Sequence, residues 1–113
     1  IISVATINAI EQLTGMKLDI RRFRPNLVVE TIDNQPFEEQ KWCSSNIHIE
    51  DTLLRIYMDD IRCAMVNINP DSGEIDTKIL KAIVQANNNC AGSYARVIGT
   101  GTILVDSKLY LET

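Results

Sequence analysis

At 113 residues, with 45% hydrophobic and 23% charged side chains, the chain has the length and balance of one soluble domain around one core. Fifteen acidic against eleven basic residues leave a net charge of −4, which argues against nucleic acid or an anionic membrane as the partner. No apolar run approaches the ~20 residues of a membrane span, and Cys43, Cys63 and Cys90 match neither a disulfide framework nor a zinc motif, so a reduced, cytoplasmic setting is expected.

The chain opens on Ile1-Ile2 with no initiator Met, which reads as a fragment of a longer protein. Ser3 is a plausible N-cap, Val4, Ile7, Ile10 and Leu13 form an apolar stripe, and Thr14-Gly15 supplies a stop, so a helix is expected over 4–14. Residues 16–26 form a basic connector in which Lys17, Arg21, Arg22 and Arg24 are opposed only by Asp19. Pro25 favours extended backbone before it, and alternation there puts Arg22 and Arg24 on one face with Phe23 opposite. Arginines so arranged, followed by Asn26, could bind an oxyanion through bidentate contacts. The plainer alternative, a solvated loop paired with surface carboxylates, is the more common outcome.

Leu27–Ile32 reads as a strand and Asp33–Pro36 as a turn. Glu38 and Glu39 are adjacent, and on extended backbone they would point to opposite faces, so a catalytic carboxylate pair is rejected. Trp42 is expected at the core or its rim. Ile47–Ile49 and Leu53–Tyr57 read as strands about Glu50-Asp51, with His48, the sole histidine, facing outward.

The segment from Arg62 to Glu74 carries the most chemistry. Cys63 follows a fixed positive charge, and a neighbouring guanidinium favours the reactive thiolate. Residues 64–68 read as a short strand, with Cys63, Met65 and Asn67 on one face and Ala64, Val66 and Ile68 on the other. Pro70, Asp71 and Gly73 then reverse the chain. Local sequence alone favours a buried core cysteine over a reactive one. Asp76 or Thr77 caps a second helix with Ile79, Leu80, Ile83 and Val84 inward, ending at Asn87–Asn89. Tyr94–Ile98, Ile103–Val105 and Leu109–Leu111 read as strands; Gly99-Thr100-Gly101 is a turn and no dinucleotide loop. About seven strands and two helices that do not alternate predict an α+β fold, a mostly antiparallel β-barrel with two or three helices.

Taken in order, ISVATINAIEQLTG, RRFRPNLVV, PFEEQKW, RCAMVNINPDSGE, CAGSYARV and GTILV resemble the MOSC domain family, named after the C-terminal domain of molybdenum cofactor sulfurase. The VRCAMVN style is similar to stand-alone bacterial members more than to the amidoxime-reducing component. The resemblance implies one MOSC-like domain over 1–113 that lacks the family's N-terminal strands, so that its barrel is incomplete. It implies a molybdopterin-type molybdenum cofactor, with Cys63 as the thiolate ligand to the metal. Arg24 and Asn26 of the RPN segment match the positions that hold the pterin and its phosphate, and Arg22, Arg62 and Asn67 complete the expected cofactor-binding set. Reductase members act on N-oxygenated compounds with an external electron-donor reductase. Asp60-Ile61 stands where those members carry Cys-Ser, and Val66-Asn67 where they carry Thr-Thr, which puts that activity in question. Two other readings follow: Cys63 carries a persulfide received from a cysteine desulfurase, or the domain only binds anions.

Overall fold

The computed structural model describes residues 1–112. Ile2–Ser3 form strand β1, and Ser3 is at once its end and the N-cap of helix α1, Val4–Thr14, because its Oγ accepts the Thr6 N–H at 3.1 Å. Gly15, left-handed at φ 67°, closes the helix by donating to Glu11 O, as the Thr14-Gly15 stop predicts. The start of α1 is completed from 36 residues away. The buried Glu39 carboxylate accepts the Ser3 N–H at 3.0 Å and the Thr6 Oγ1–H at 2.8 Å, and lies 3.0 Å from Ser3 Oγ. A carboxylate there satisfies free helix N–H and hydroxyl donors and faces the positive end of the helix dipole. Glu38 and Glu39 lie on a 3-10 turn, Glu38–Trp42, and not on extended backbone; Glu39 is a brace, in keeping with the rejection of a catalytic pair.

Strand β2, Val28–Val29, pairs in parallel with β1. The remaining strands, β3 (Asn46–Ile49), β4 (Thr52–Ile61), β5 (Cys90–Gly99) and β6 (Leu109–Glu112), form an antiparallel sheet in the order β5-β4-β3-β6. Helix α2 spans Lys78–Asn87 between β4 and β5. Ile1 and Ser93 exchange backbone hydrogen bonds of 2.8 Å in both directions, which ties the small sheet to β5. Ile2, Ile7, Ile10, Phe23, Ile79 and Ile83 belong to a core between the helices, and Trp42, Ile47, Ile49, Leu54 and Ile56 to another on the sheet. No helix is long and apolar enough to cross a membrane among the described residues.

Two helices and an antiparallel sheet agree with the expected class. Among the described residues β5 and β6 are the outer strands of this sheet, and no pairing that closes it into the expected barrel is found. Val97 and Leu111, on the core face opposite buried Leu54 and Ile47, remain exposed. Three expected strands shrink or vanish. Leu27–Ile32 keeps only Val28–Val29, and Ile103–Val105 forms no strand among the described residues. The strand after Cys63 is a 3-10 turn, Ala64–Asn67, closed by Val66 N to Cys63 O and Ile68 N to Met65 O. Its periodicity is not two, so Val66 and Asn67, neighbours in sequence, are both buried. In α2 the Asp76 carboxylate accepts the Lys78 N–H, Thr77 makes no side-chain cap, and Val84 lies exposed.

Replacing Glu39 by Ala leaves buried donors at Ser3 and Thr6 unpaired. It is expected to cost roughly 3 kcal/mol of unfolding free energy, read from the denaturant midpoint, whereas exposed Glu30→Ala stays within about 0.5 kcal/mol.

Candidate functional site

The basic connector is positioned by a 3-10 turn over Ile20–Phe23. Asp19 caps it, accepting the Arg21 N–H at 2.9 Å, and the Arg21 guanidinium holds the Asp19 carboxyl down to about 2. Arg21 also reaches Asp71 at 2.9 Å and so pins the connector to the turn after Cys63. A tight turn does not alternate as a strand does. Arg22 therefore swings inward beside Phe23, while Arg24, left-handed at φ 49°, stays exposed. The shared face expected of Arg22 and Arg24 is thus absent, yet both side chains reach one hollow.

That hollow, of about 320 Å³, is lined by Arg22, Arg24, Arg62, Cys63, Met65 and Val66 among others. A larger one of about 530 Å³ adjoins it, with a mainly apolar lining that includes Ile2, Leu27, Leu54, Ala95 and Ile103 and with Asn26 in its wall. Phe23, Arg24, Asp60, Arg62 and Tyr94 belong to both, and form the partition.

Arg62 builds the partition. Its Nε donates to Ala91 O at 2.8 Å, Nη1 to Phe23 O at 2.7 Å, and Nη2 lies 3.0 Å from Asp60 Oδ2. The guanidinium also stacks over the Phe23 ring. Its side chain is 9% exposed, and burial pulls its pKa below the ordinary arginine value against the opposing charge of Asp60. The cation expected to activate Cys63 is therefore engaged elsewhere. Gly92 makes room for it: at φ 88°, a Cβ there would stand 2.7 Å from Ile1 O and 3.2 Å from Arg62 Nη2.

Arg22 contrasts with Arg62. It is 7% exposed, and its side chain has one hydrogen bond among the described residues, Nη1 to Val66 O at 3.2 Å. A guanidinium has five N–H donors, so a buried one with a single carbonyl partner retains capacity for an anion. Cys63 is exposed on the rim of the same hollow, and the local reading of a core cysteine is overturned. Cys90 is the buried cysteine, and Cys43 is exposed. Asn67 lines neither hollow: its Oδ1 accepts the Leu80 N–H at 2.9 Å and its backbone oxygen the Asp76 N–H, so it holds the start of α2. His48 faces outward, 3.0 Å from Glu112.

Three residues of the partition, Phe23, Asp60 and Tyr94, were not picked out as site residues from sequence; Phe23 was expected opposite the arginines. Asp60 was visible only as a departure from the resembled pattern. Tyr94 carried no signal, because a strand tyrosine is unremarkable until its neighbour is known. Asp60 lines the same wall, and its charge raises the phenol's pKa above the ordinary value. No group of three or more His, Cys, Asp or Glu that could hold a metal ion occurs among the described residues.

A model of the MOSC domain matches residues 1–110. The molybdenum cofactor sulfurase of Solanum lycopersicum is 38% identical over 61 residues, which is 54% of this chain. The match spans 7% of the length of that relative.

The Tyr94 phenol is kept protonated by the Asp60 charge, so its stabilising contribution is complete below the ordinary tyrosine pKa, about 10, and fades as pH rises through the higher folded value. Phenolate absorbance in an alkaline titration should report one tyrosine ionising late. Asp60→Asn should return it toward the ordinary range; an unmoved late tyrosine would show that Asp60 is not the cause.

Proposed function

The chain belongs to the MOSC domain family, and from that premise and the paired hollows we propose that it binds a molybdopterin-type molybdenum cofactor. The buried Arg22, with one carbonyl partner and donors in reserve, carries this reading. A buried cation without a carboxylate partner is costly, and an oxyanion such as the cofactor's phosphate removes that cost. Arg24, exposed and lining both hollows, closes on the same anion from solvent, and Asn26 offers an amide to a polar edge in the larger hollow. Arg62 adds charge from the wall without moving, because each of its three guanidinium nitrogens is held, by Ala91, Phe23 and Asp60.

Cys63 is the ligand that such a group would take from this chain. A soft thiolate suits molybdenum, and its place on the rim leaves the metal side open to solvent. When bound, the group would supply two-electron chemistry suited to reducing N-oxygenated compounds, with electrons from a separate reductase. The chain's own part is to hold the phosphate, orient the pterin and present one thiolate.

A second reading is favoured by the exposure of Cys63 and by the printed name of the tomato relative, a sulfurase. In it the Cys63 thiolate attacks the terminal sulfur of a cysteine desulfurase persulfide. A new sulfur–sulfur bond forms on Cys63 and the donor leaves as its cysteine thiolate.

Purified from a host that makes the cofactor, the protein should contain molybdenum by elemental analysis, and Cys63→Ser should lose most of it at unchanged melting temperature. Equal, near-zero metal in both would sink the cofactor reading. Intact mass after incubation with a desulfurase and cysteine should rise by one sulfur atom if Cys63 is a carrier, and stay fixed otherwise.

A further inference from the structure

Asp60 is an odd residue to find in a site built for an anion. It stands on the wall common to both hollows, beside Arg24 and within the cationic cluster of Arg22, Arg24 and Arg62. Its side chain is 15% exposed, so its charge is only partly screened by solvent. One oxygen is held 3.0 Å from Arg62 Nη2, which fixes the carboxylate in place. A carboxylate has about four lone-pair sites, so acceptor sites remain for a ligand in the hollows.

We infer that Asp60 makes this a selective anion site, one that takes a ligand carrying both an anionic oxygen and an N–H or O–H donor, and rejects fully deprotonated oxyanions. The inference rests on the anion-holding reading above and adds the selection rule. The physical reason is the one-sidedness of a carboxylate. Facing a donor, it makes a short, charge-assisted hydrogen bond. Facing another acceptor oxygen, it makes none and adds repulsion at close range. Arg22 and Arg24 would attract either kind of anion, so charge alone does not discriminate; the donor does. A protonated phosphate meets the rule by itself, the N–H edge of a heterocycle meets it only on a ligand that also carries an anionic oxygen, and sulfate does not meet it. Asp60 also cancels the nearest cation, Arg62, so the hollows attract anions less than three arginines would. The site therefore gives up some general affinity for selectivity.

The test compares two tetrahedral dianions on the full chain. Inorganic phosphate is used at a pH where hydrogenphosphate predominates, sulfate at the same pH and ionic strength, and the backbone amide shifts of Phe23, Arg24 and Tyr94 are followed. Wild type should bind hydrogenphosphate about 10-fold more tightly than sulfate, the low end of what one hydrogen bond to a charged group contributes. Asp60→Asn, of equal size, should bind sulfate more tightly than wild type does, and the ratio should fall to about 2 or less. Hydrogenarsenate against selenate repeats the contrast on wild type alone, so the inference stays exposed if the variant does not fold. Equal binding of the two ions by wild type overturns the inference and leaves the anion site standing. An unchanged ratio in Asp60→Asn overturns it also. Binding of neither ion removes the anion-holding reading, and the selection rule with it. A heterocycle amide lacking any anionic group, titrated as a separate arm, should bind more weakly than hydrogenphosphate, since the rule requires both features.

Discussion

The buried guanidinium of Arg62 is the interaction on which the site depends. It joins three segments far apart in sequence: the connector through Phe23 O, the start of β5 through Ala91 O, and the end of β4 through Asp60. Its backbone is locked as well, since its N–H donates to Asn89 O and its carbonyl accepts from Asn89 Nδ2. Each bond satisfies a polar group that would otherwise be orphaned on burial, and the guanidinium plane matches the spread of its partners as an ammonium would not. The close approach requires the absence of a side chain at Gly92. Once this clamp is set, the walls of both hollows follow, because three of the five residues of the partition are Arg62 itself and its partners Phe23 and Asp60.

The clamp divides the arginines by role. Arg62 spends its donors on the fold, Arg21 on the exposed carboxylates of Asp19 and Asp71, and Arg22 spends one on a carbonyl. Arg24 is turned to solvent by a left-handed backbone. Cations that look alike in sequence thus become a structural brace, a surface pair, a buried side chain with donors to spare and an exposed one beside it. The same logic holds for Glu39, which looks like half of an acid–base pair and is a distant cap for α1. In both cases the decisive fact is the number of free donors or acceptors left after the fold has taken its share.

Much of this was legible in the chain. Ser3 and Thr14-Gly15 bound α1 because capping acts within a few residues. The strands about Glu50-Asp51 and the outward His48 follow from alternation over a sheet with one solvated face. The ordered motif pattern pointed to the family that matches residues 1–110. The failures share one cause. At Ile20–Phe23 and at Ala64–Asn67 short apolar and polar runs were read with a period of two, and both are 3-10 turns. Three or four residues are too few for periodicity to distinguish a tight turn from a strand.

What the sequence by itself determined is local and cumulative: two helices, an antiparallel set of strands, a cationic connector, and a cysteine followed by a turn. What only the tertiary structure decided is which charges are spoken for. Arg62 was expected to activate Cys63 and instead ties Asp60, Phe23 and Ala91, while Arg22 was expected on an extended face and instead lies buried with donors to spare. Asn67 went to a helix end, and Tyr94 and Asp60 came together across the partition. Hydrogen-bond saturation is a property of neighbours brought close by folding, and residues 29 to 44 positions apart in the chain carry no local mark of being partners.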